Sequence, residues 1–278
     1  MKALVEDWRS KWGNRTDGAS DASFAFGWVQ LNSNGPAARL ATNPANVPGP
    51  GDPLGAWTKG FTGVRWAQTA ALALHNTFQA VSLDTPAING WVHSPFKQAV
   101  GARLARAALG AAYGKPQPSP SVLSARYVHT GDAHTMVVTL GGLGVPPAEL
   151  QVRDPLGFEL LSHGVWHSAP IRRADGATLL LDASNATAAT GLPPAALRYL
   201  WYTTPCTMQP YSCPVYARVP PIAGGESGEM EYLPLAPCVM NVTSAPVPAW
   251  ADVPAPAPAQ HQHQHQHQHH RPLDQSLG

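Results

Sequence analysis

The sequence predicts an α/β segment over residues 1–114 followed by a β-sandwich domain over residues 121–222. One observation predicts the first part. Apolar runs short enough for buried strands alternate with stretches of helical spacing, and this alternation is the pattern of a layered α/β sheet. The second part rests on a change of texture after the Pro-rich linker at residues 115–120. Beyond the linker, short apolar runs recur between Gly, Pro, Asp and Asn, which is the spacing of a sandwich.

The elements follow in order. The opening Met1-Lys2-Ala3-Leu4-Val5-Glu6-Asp7-Trp8-Arg9 reads as amphipathic helix, and residues 13–23 as a loop. Residues 24–31 are apolar enough for a buried strand. Residues 32–60, rich in Pro, Gly and Asn, hold no period and read as a long surface loop of the kind that borders binding sites. Residues 65–74 have helical spacing, with Trp66, Thr69, Ala70 and Ala73 along one side, and residues 77–83 form a second strand. After a turn-rich stretch, Ser94 is a natural N-cap and Pro95 suits the first helical position. That helix carries Phe96, Val100, Leu104, Ala107 and Ala108 on its apolar face and ends at Gly114. In the second part, strands are expected at 122–128, 135–140, 149–153, 164–171, 177–181 and 197–203. From about Pro220 the pattern fades, and residues 223–278 read as a disordered tail, Pro/Ala-rich and then alternating Gln and His.

Composition narrows the function. The net charge is +1 and no basic face is apparent, so nucleic acid is not an expected partner. No apolar run approaches the ~20 residues that span a bilayer, and the first residues lack the apolar core of a signal peptide. The sequence reads as though it opens inside a domain. Among three cysteines, Cys206 and Cys213 share a loop rich in Pro, Tyr and Ser; they read equally as a local disulfide or as two free thiols, and Cys238 is left over. Asn14, Asn185 and Asn241 each begin a glycosylation triplet.

His93 is the sharpest chemical candidate. It stands where a loop leaving a strand enters a helix, the edge at which open α/β sheets bind ligands. An imidazole there can take a proton from a hydroxyl and return it to a leaving group; the plainer reading is a loop histidine without a role. Asp84, at the end of the preceding strand, either orients that imidazole or caps the strand-end turn. Arg65 and Gln68 share one side of a helix start, as contacts to a polar substrate or as a hydrogen-bond anchor for a neighbouring loop. Trp8, Trp57, Trp66 and Trp91 suit stacking on sugar rings or packing. No serine has the setting of a nucleophile. Ser227, in Gly225-Glu226-Ser227-Gly228, lacks a preceding apolar strand, and Ser82, Ser94 and Ser162 have no oxyanion-binding turn. The His/Gln tract at residues 260–270 reads as a repeat expansion rather than a zinc site, and no cofactor is expected.

Several segments together resemble the sialate O-acetylesterase family of SGNH-type ester hydrolases. They are Leu4-Val5-Glu6-Asp7-Trp8-Arg9, Phe26-Gly27-Trp28-Val29-Gln30-Leu31, Val64-Arg65-Trp66-Ala67-Gln68-Thr69-Ala70 and Phe78-Gln79-Ala80-Val81-Ser82-Leu83-Asp84. His93, Lys97, Gln98, Val100, Gly101, Arg103 and Leu104 then resemble the family's catalytic-histidine segment, and residues 197–206 and 213–216 its closing segment. The resemblance implies a partial SGNH-like three-layer sheet at residues 1–114 and removal of acetyl esters from sialic acids through an acyl-enzyme. A serine would attack, and His93, on the family's catalytic histidine, would serve as base and then acid. Asp84 falls on a family acidic position. It further implies an O-acetylated sugar as substrate and an extracellular or lysosomal setting in the secretory pathway.

Three departures stand out. The family's Gly-x-Ser-Asn block lies upstream of the Asp-Trp-Arg helix and is not in this sequence, so the chain is expected to be inactive without that N-terminal half. Ser94 intervenes between the histidine and Pro95. Gly90 stands where many SGNH enzymes place an acid three residues before the histidine. An exposed sheet edge is expected where further strands would pair. A non-catalytic carbohydrate-binding or structural relative is the alternative reading.

Overall fold

The computed structural model describes residues 1–16, 23–34, 60–87, 89–145, 147–188, 190–222 and 230–244, without the side chains of Asn14 and Ser244. Helix α1 (Lys2–Arg15) buries Val5 against Trp28 and Ala71, with Met1, Phe26 and Leu74 around them. Arg9 of α1 stitches the N-terminal ends of the next two strands. Its guanidinium donates to the carbonyls of Phe24 at 2.9 Å and His75 at 2.7 Å. Strands β1 (Phe26–Val29) and β2 (Thr77–Ala80) pair in parallel, Phe26 opposite Thr77 and Val29 opposite Ala80. Parallel strands need a crossover, and helix α2 (Gly60–Ala70) with the 3-10 turn Ala71–Ala73 lies within it. Gly27 is required at its place in the pair. A Cβ there would fall 2.2 Å from a ring atom of Phe78, its partner in the register.

Helix α3 (Lys97–Tyr113) follows β2 and packs across it. It begins later than the Ser94–Pro95 signal suggested. The Ser94 hydroxyl accepts the Phe96 amide at 3.0 Å, and Lys97 donates to the Pro95 carbonyl at 2.8 Å, so both residues are spent in a turn before the helix. Gly114 ends α3 in the left-handed region, with φ of 62°.

The rest is strand-rich: β3 (Ser121–Thr130), β4 (Ala133–Gly141), β5 (Glu149–Val152), β6 (Phe158–Ser162), β7 (Val165–Ser168), β8 (Ile171–Asp175), β9 (Thr178–Asp182), a short helix α4 (Ser184–Thr187), β10 (Ala196–Tyr199), β11 (Val215–Val219), β12 (Glu231–Pro234), β13 (Cys238–Asn241) and β14 (Thr243–Ser244). They form sheets of order β14-β3-β4-β9-β8, β13-β10-β6-β7 and β12-β11-β5. Along β4 the alternate residues Met136, Val138 and Leu140 are buried, as a strand with one covered face requires. The expected strand at 164–171 is two strands, β7 and β8, because Pro170 cannot continue a ladder. The fading of pattern after Pro220 misleads. Residues 230–244 supply β12, β13 and β14, each joined to a different sheet. Strand β6 is not visible in the sequence because all five of its residues are buried and it shows no alternation.

One core serves both halves. Leu83, just past β2, packs in the same cluster as Phe158, Tyr199, Tyr216 and the disulfide between Cys206 and Cys213. Beside it Asp84 is fully buried and binds Arg103 of α3 through both oxygens, at 2.6 and 2.8 Å. The Tyr216 hydroxyl of β11 donates to the same carboxylate at 3.0 Å, and Arg103 also donates to the Val81 carbonyl at 3.0 Å. Burial alone would lower the Arg103 pKa, but the hydrogen bond and charge of Asp84 raise it overall. A second buried pair joins Arg198 of β10 to Glu159, its cross-strand neighbour on β6, at 2.7 Å.

Two stability predictions follow from this packing. Asp84→Asn leaves the Arg103 cation buried without a countercharge, and the expected loss is about 3–5 kcal/mol. It reads as a lower urea midpoint, and adding Arg103→Met recovers part of it because the stranded charge is removed. A loss below 1 kcal/mol for Asp84→Asn contradicts the role assigned to the pair. Gly27→Ala, which overpacks against Phe78, is expected to cost about 1–3 kcal/mol in the same assay.

Candidate functional site

The carboxyl ends of β1 and β2 define one edge of the parallel pair, and the chain leaves each into a loop. After β1 come Leu31, Asn32, Ser33 and Asn34. After β2 the chain runs through Asp84, Trp91 and His93 to α3. The two loops are laced together. Asn32 donates its side-chain amide to the Thr85 carbonyl at 2.8 Å, and Ser82 donates to the Gln30 carbonyl at 2.8 Å.

Arg65 and Gln68 hold the first loop from α2. The Arg65 guanidinium, buried to 1% exposure, donates to four carbonyls. These belong to Leu31 at 2.7 Å, Asn32 at 2.8 Å, Tyr202 at 2.6 Å and Thr203 at 2.8 Å. Burial without a countercharge pushes its pKa down to about 9, so it remains a cation at neutral pH. Gln68 accepts from the Leu31 amide at 2.8 Å and donates to the Val29 carbonyl at 3.0 Å. The contacts present are those of a loop anchor. Both side chains spend their polar groups on backbone.

His93 is exposed, two residues after Trp91, which is 64% exposed. Asp84 does not meet it. Both Asp84 oxygens point into the core to Arg103 and Tyr216, and its carbonyl accepts the Tyr211 amide at 2.7 Å. Among the described residues no hydrogen bond joins Asp84 to the His93 ring. The physical reason is desolvation: a buried carboxylate takes the strongest donors within reach, and a bidentate guanidinium outcompetes an imidazole at the surface. Nearness along the loop predicted neither direction. Sequence reasoning missed Arg103 and Tyr216 as its partners; Arg103 stands in the histidine segment and Tyr216 beside Cys213, but nothing local links them.

Ser82 and Ser94 are buried in the hydrogen bonds already described, and Ser162 lies 3.1 Å from Nδ1 of its neighbour His163. Ser227, Trp57 and the His/Gln tract lie outside the described residues. Trp66 packs edge-on against Trp201 with ring centroids 5.8 Å apart, and Trp8 against Phe26 at 5.9 Å.

Cys206 and Cys213 are joined as a disulfide, with Cα atoms 4.9 Å apart. Cys238 is free, and burial pushes its thiol up to about 12, far from a reactive thiolate. Asn185, on α4, and Asn241, at the end of β13, are exposed; Asn14 stands in α1 with its side chain undescribed. Among the described residues no three His, Cys, Asp or Glu gather to hold a metal ion, and no helix is long and apolar enough to cross a membrane.

No family model matches the chain. It is 29% identical to the sialate O-acetylesterase of Mus musculus over 234 residues, covering 77% of this chain and 37% of that protein. The human sialate O-acetylesterase is 28% identical over the same length, with 38% of it covered. Among solved structures, a carbohydrate acetylesterase from Xanthomonas citri superposes with a TM-score of 0.58 at 24% identity, over 86% of this chain and 44% of that one. The chain therefore spans less than half the length of the relatives it matches. It resembles the sialate O-acetylesterases in sequence and shares its fold with part of a carbohydrate acetylesterase.

Proposed function

We propose that this chain supplies the histidine-bearing part of a carbohydrate O-acetylesterase of the SGNH type, acting on O-acetylated sialic acids or related sugars. The observation that carries the reading is the place of His93. It is an exposed imidazole in the loop that runs from the carboxyl end of β2 to α3, within a segment that resembles the sialate O-acetylesterases. There it would take the proton of an attacking serine and pass it to the leaving sugar hydroxyl. The serine would come from the part of the enzyme that corresponds to the unspanned length of the relatives. Trp91 beside it offers a flat apolar face to the sugar ring. Asp84 serves the site indirectly, by fixing the start of the loop that carries His93. The disulfide and the exposed triplets at Asn185 and Asn241 support an oxidising, secretory setting.

Without a nucleophile the covalent route is closed. The chain alone is therefore expected to show no turnover of an aryl acetate or of O-acetylated sialic acid above that of its His93→Ala variant. Supplied with a serine-bearing polypeptide it should turn over, and His93→Ala should then reduce kcat by roughly a hundredfold to ten-thousandfold. Turnover by the chain alone that disappears in His93→Ala refutes the first statement; equal activity of the two assembled forms refutes the second. Trp91→Ala in the assembled form is expected to raise KM for the sugar ester severalfold while leaving kcat and aryl acetate hydrolysis unchanged. Glycan binding with no hydrolysis under any of these conditions favours a non-catalytic relative instead.

A further inference from the structure

Strands β3 and β4 are joined by a tight turn, Gly131–Asp132, which Thr130 and Ala133 close. The pair that closes such a turn exchanges backbone hydrogen bonds, and the kinds of pair alternate from there. The next pair, His129 opposite His134, is therefore of the non-hydrogen-bonded kind, in which side chains stand closest. The two imidazole rings lie face to face, with centroids 4.3 Å apart and planes 6° from parallel. His129 is exposed and His134 half-buried, so the pair meets solvent at the tip of the hairpin.

His134 is held from behind. Tyr127 stands two residues before His129, on the same face of β3, and its hydroxyl lies 2.6 Å from Nδ1 of His134. Tyr127 is buried, and burial raises its pKa, so it stays a phenol. With the imidazole proton on Nδ1, the ring donates to the phenol oxygen and leaves the Nε2 lone pair free. Histidines that bind metals are fixed in this way, by a partner on the nitrogen that does not bind. The His134 carbonyl accepts the Ala183 amide at 2.9 Å, which ties its backbone to the residue after β9. Asp182, opposite Thr135 in the ladder, is already bound by Arg172 and by the Ser184 amide. Among the described residues no third His, Cys, Asp or Glu joins the two rings.

We propose that His129 and His134 form a two-imidazole site for a divalent transition metal, Cu²⁺ above others, with Tyr127 as the positioning residue of His134. A structural zinc site takes four protein ligands, which this pair does not supply. Imidazole suits Cu²⁺, the ion that nitrogen sites hold most tightly among the first-row divalent metals, and water fills its remaining positions. Bound there, the metal ties β3 to β4 at the open end of their hairpin.

The His/Gln tract at residues 260–270 also offers imidazoles, so the test compares full-length variants that all retain it. The probe is Cu²⁺ alone, titrated near neutral pH. The wild type is expected to take up one Cu²⁺ more than His129→Gln or His134→Gln, and His75→Gln, in the α/β part, to match the wild type. Tyr127→Phe should keep the site but bind at least tenfold more weakly. In amide spectra Cu²⁺ should broaden the signals of residues 127–136 in the wild type and leave them sharp in His129→Gln. Equal uptake by the wild type and His129→Gln, or no broadening along the hairpin, overturns the proposal. Uptake lost in one histidine variant and kept in the other overturns it as well, since a single imidazole then suffices. Wild-type affinity in Tyr127→Phe overturns the positioning role. Because His129 is exposed, His129→Gln should keep the wild-type melting temperature, and it decides the matter even where His134→Gln does not fold.

Discussion

The structure turns on one buried ion pair. Taking a carboxylate and a guanidinium out of water costs several kcal/mol for each ion, and the pair survives only where geometry is good and the remaining polar groups are satisfied. Asp84 and Arg103 meet both conditions. The contact is bidentate, Tyr216 fills a further site on the carboxylate, and the Val81 carbonyl takes another guanidinium proton. The three residues come from the loop after β2, from α3 and from β11, so the pair fixes the α/β elements against the β-rich part. It also fixes where the loop to His93 begins.

Arg65 does similar work by different chemistry. It has no carboxylate, only four carbonyls, and burial accordingly pulls its pKa down where Asp84 raises that of Arg103. Carbonyls from both halves converge on it, Leu31 and Asn32 from one loop and Tyr202 and Thr203 from another. A lysine at this place has three donors and no planar fork, and cannot span four acceptors in the same way. Two guanidinium groups thus organise the loops that leave the strand pair, and both are buried.

His93 and Trp91, in the loop between β2 and α3, are both exposed. Among the described residues no carboxylate hydrogen-bonds to the His93 ring, and the parallel sheet of β1 and β2 has two strands. The chain spans less than half of each relative named above.

Much of this was legible in the residues. Alternating apolar runs and helical spacing gave α1, β1, α2, β2 and α3 in order, since amphipathic period is a local property of the chain. Gly114 marked the end of α3 because a left-handed cap is also local. Resemblance placed His93 before that helix. The strands after Pro220 and the fully buried β6 escaped notice, because short strands without alternation carry no period to read. The fate of Asp84, Arg65 and Gln68 belonged to the tertiary structure alone. Which donor a buried carboxylate meets, and which carbonyls a buried guanidinium collects, depends on residues more than a hundred positions away, Tyr216 and Tyr202 among them. The sequence determined the kinds of groups present and the order of the elements; only long-range packing, which decides the groups that lose water together, determined their partners.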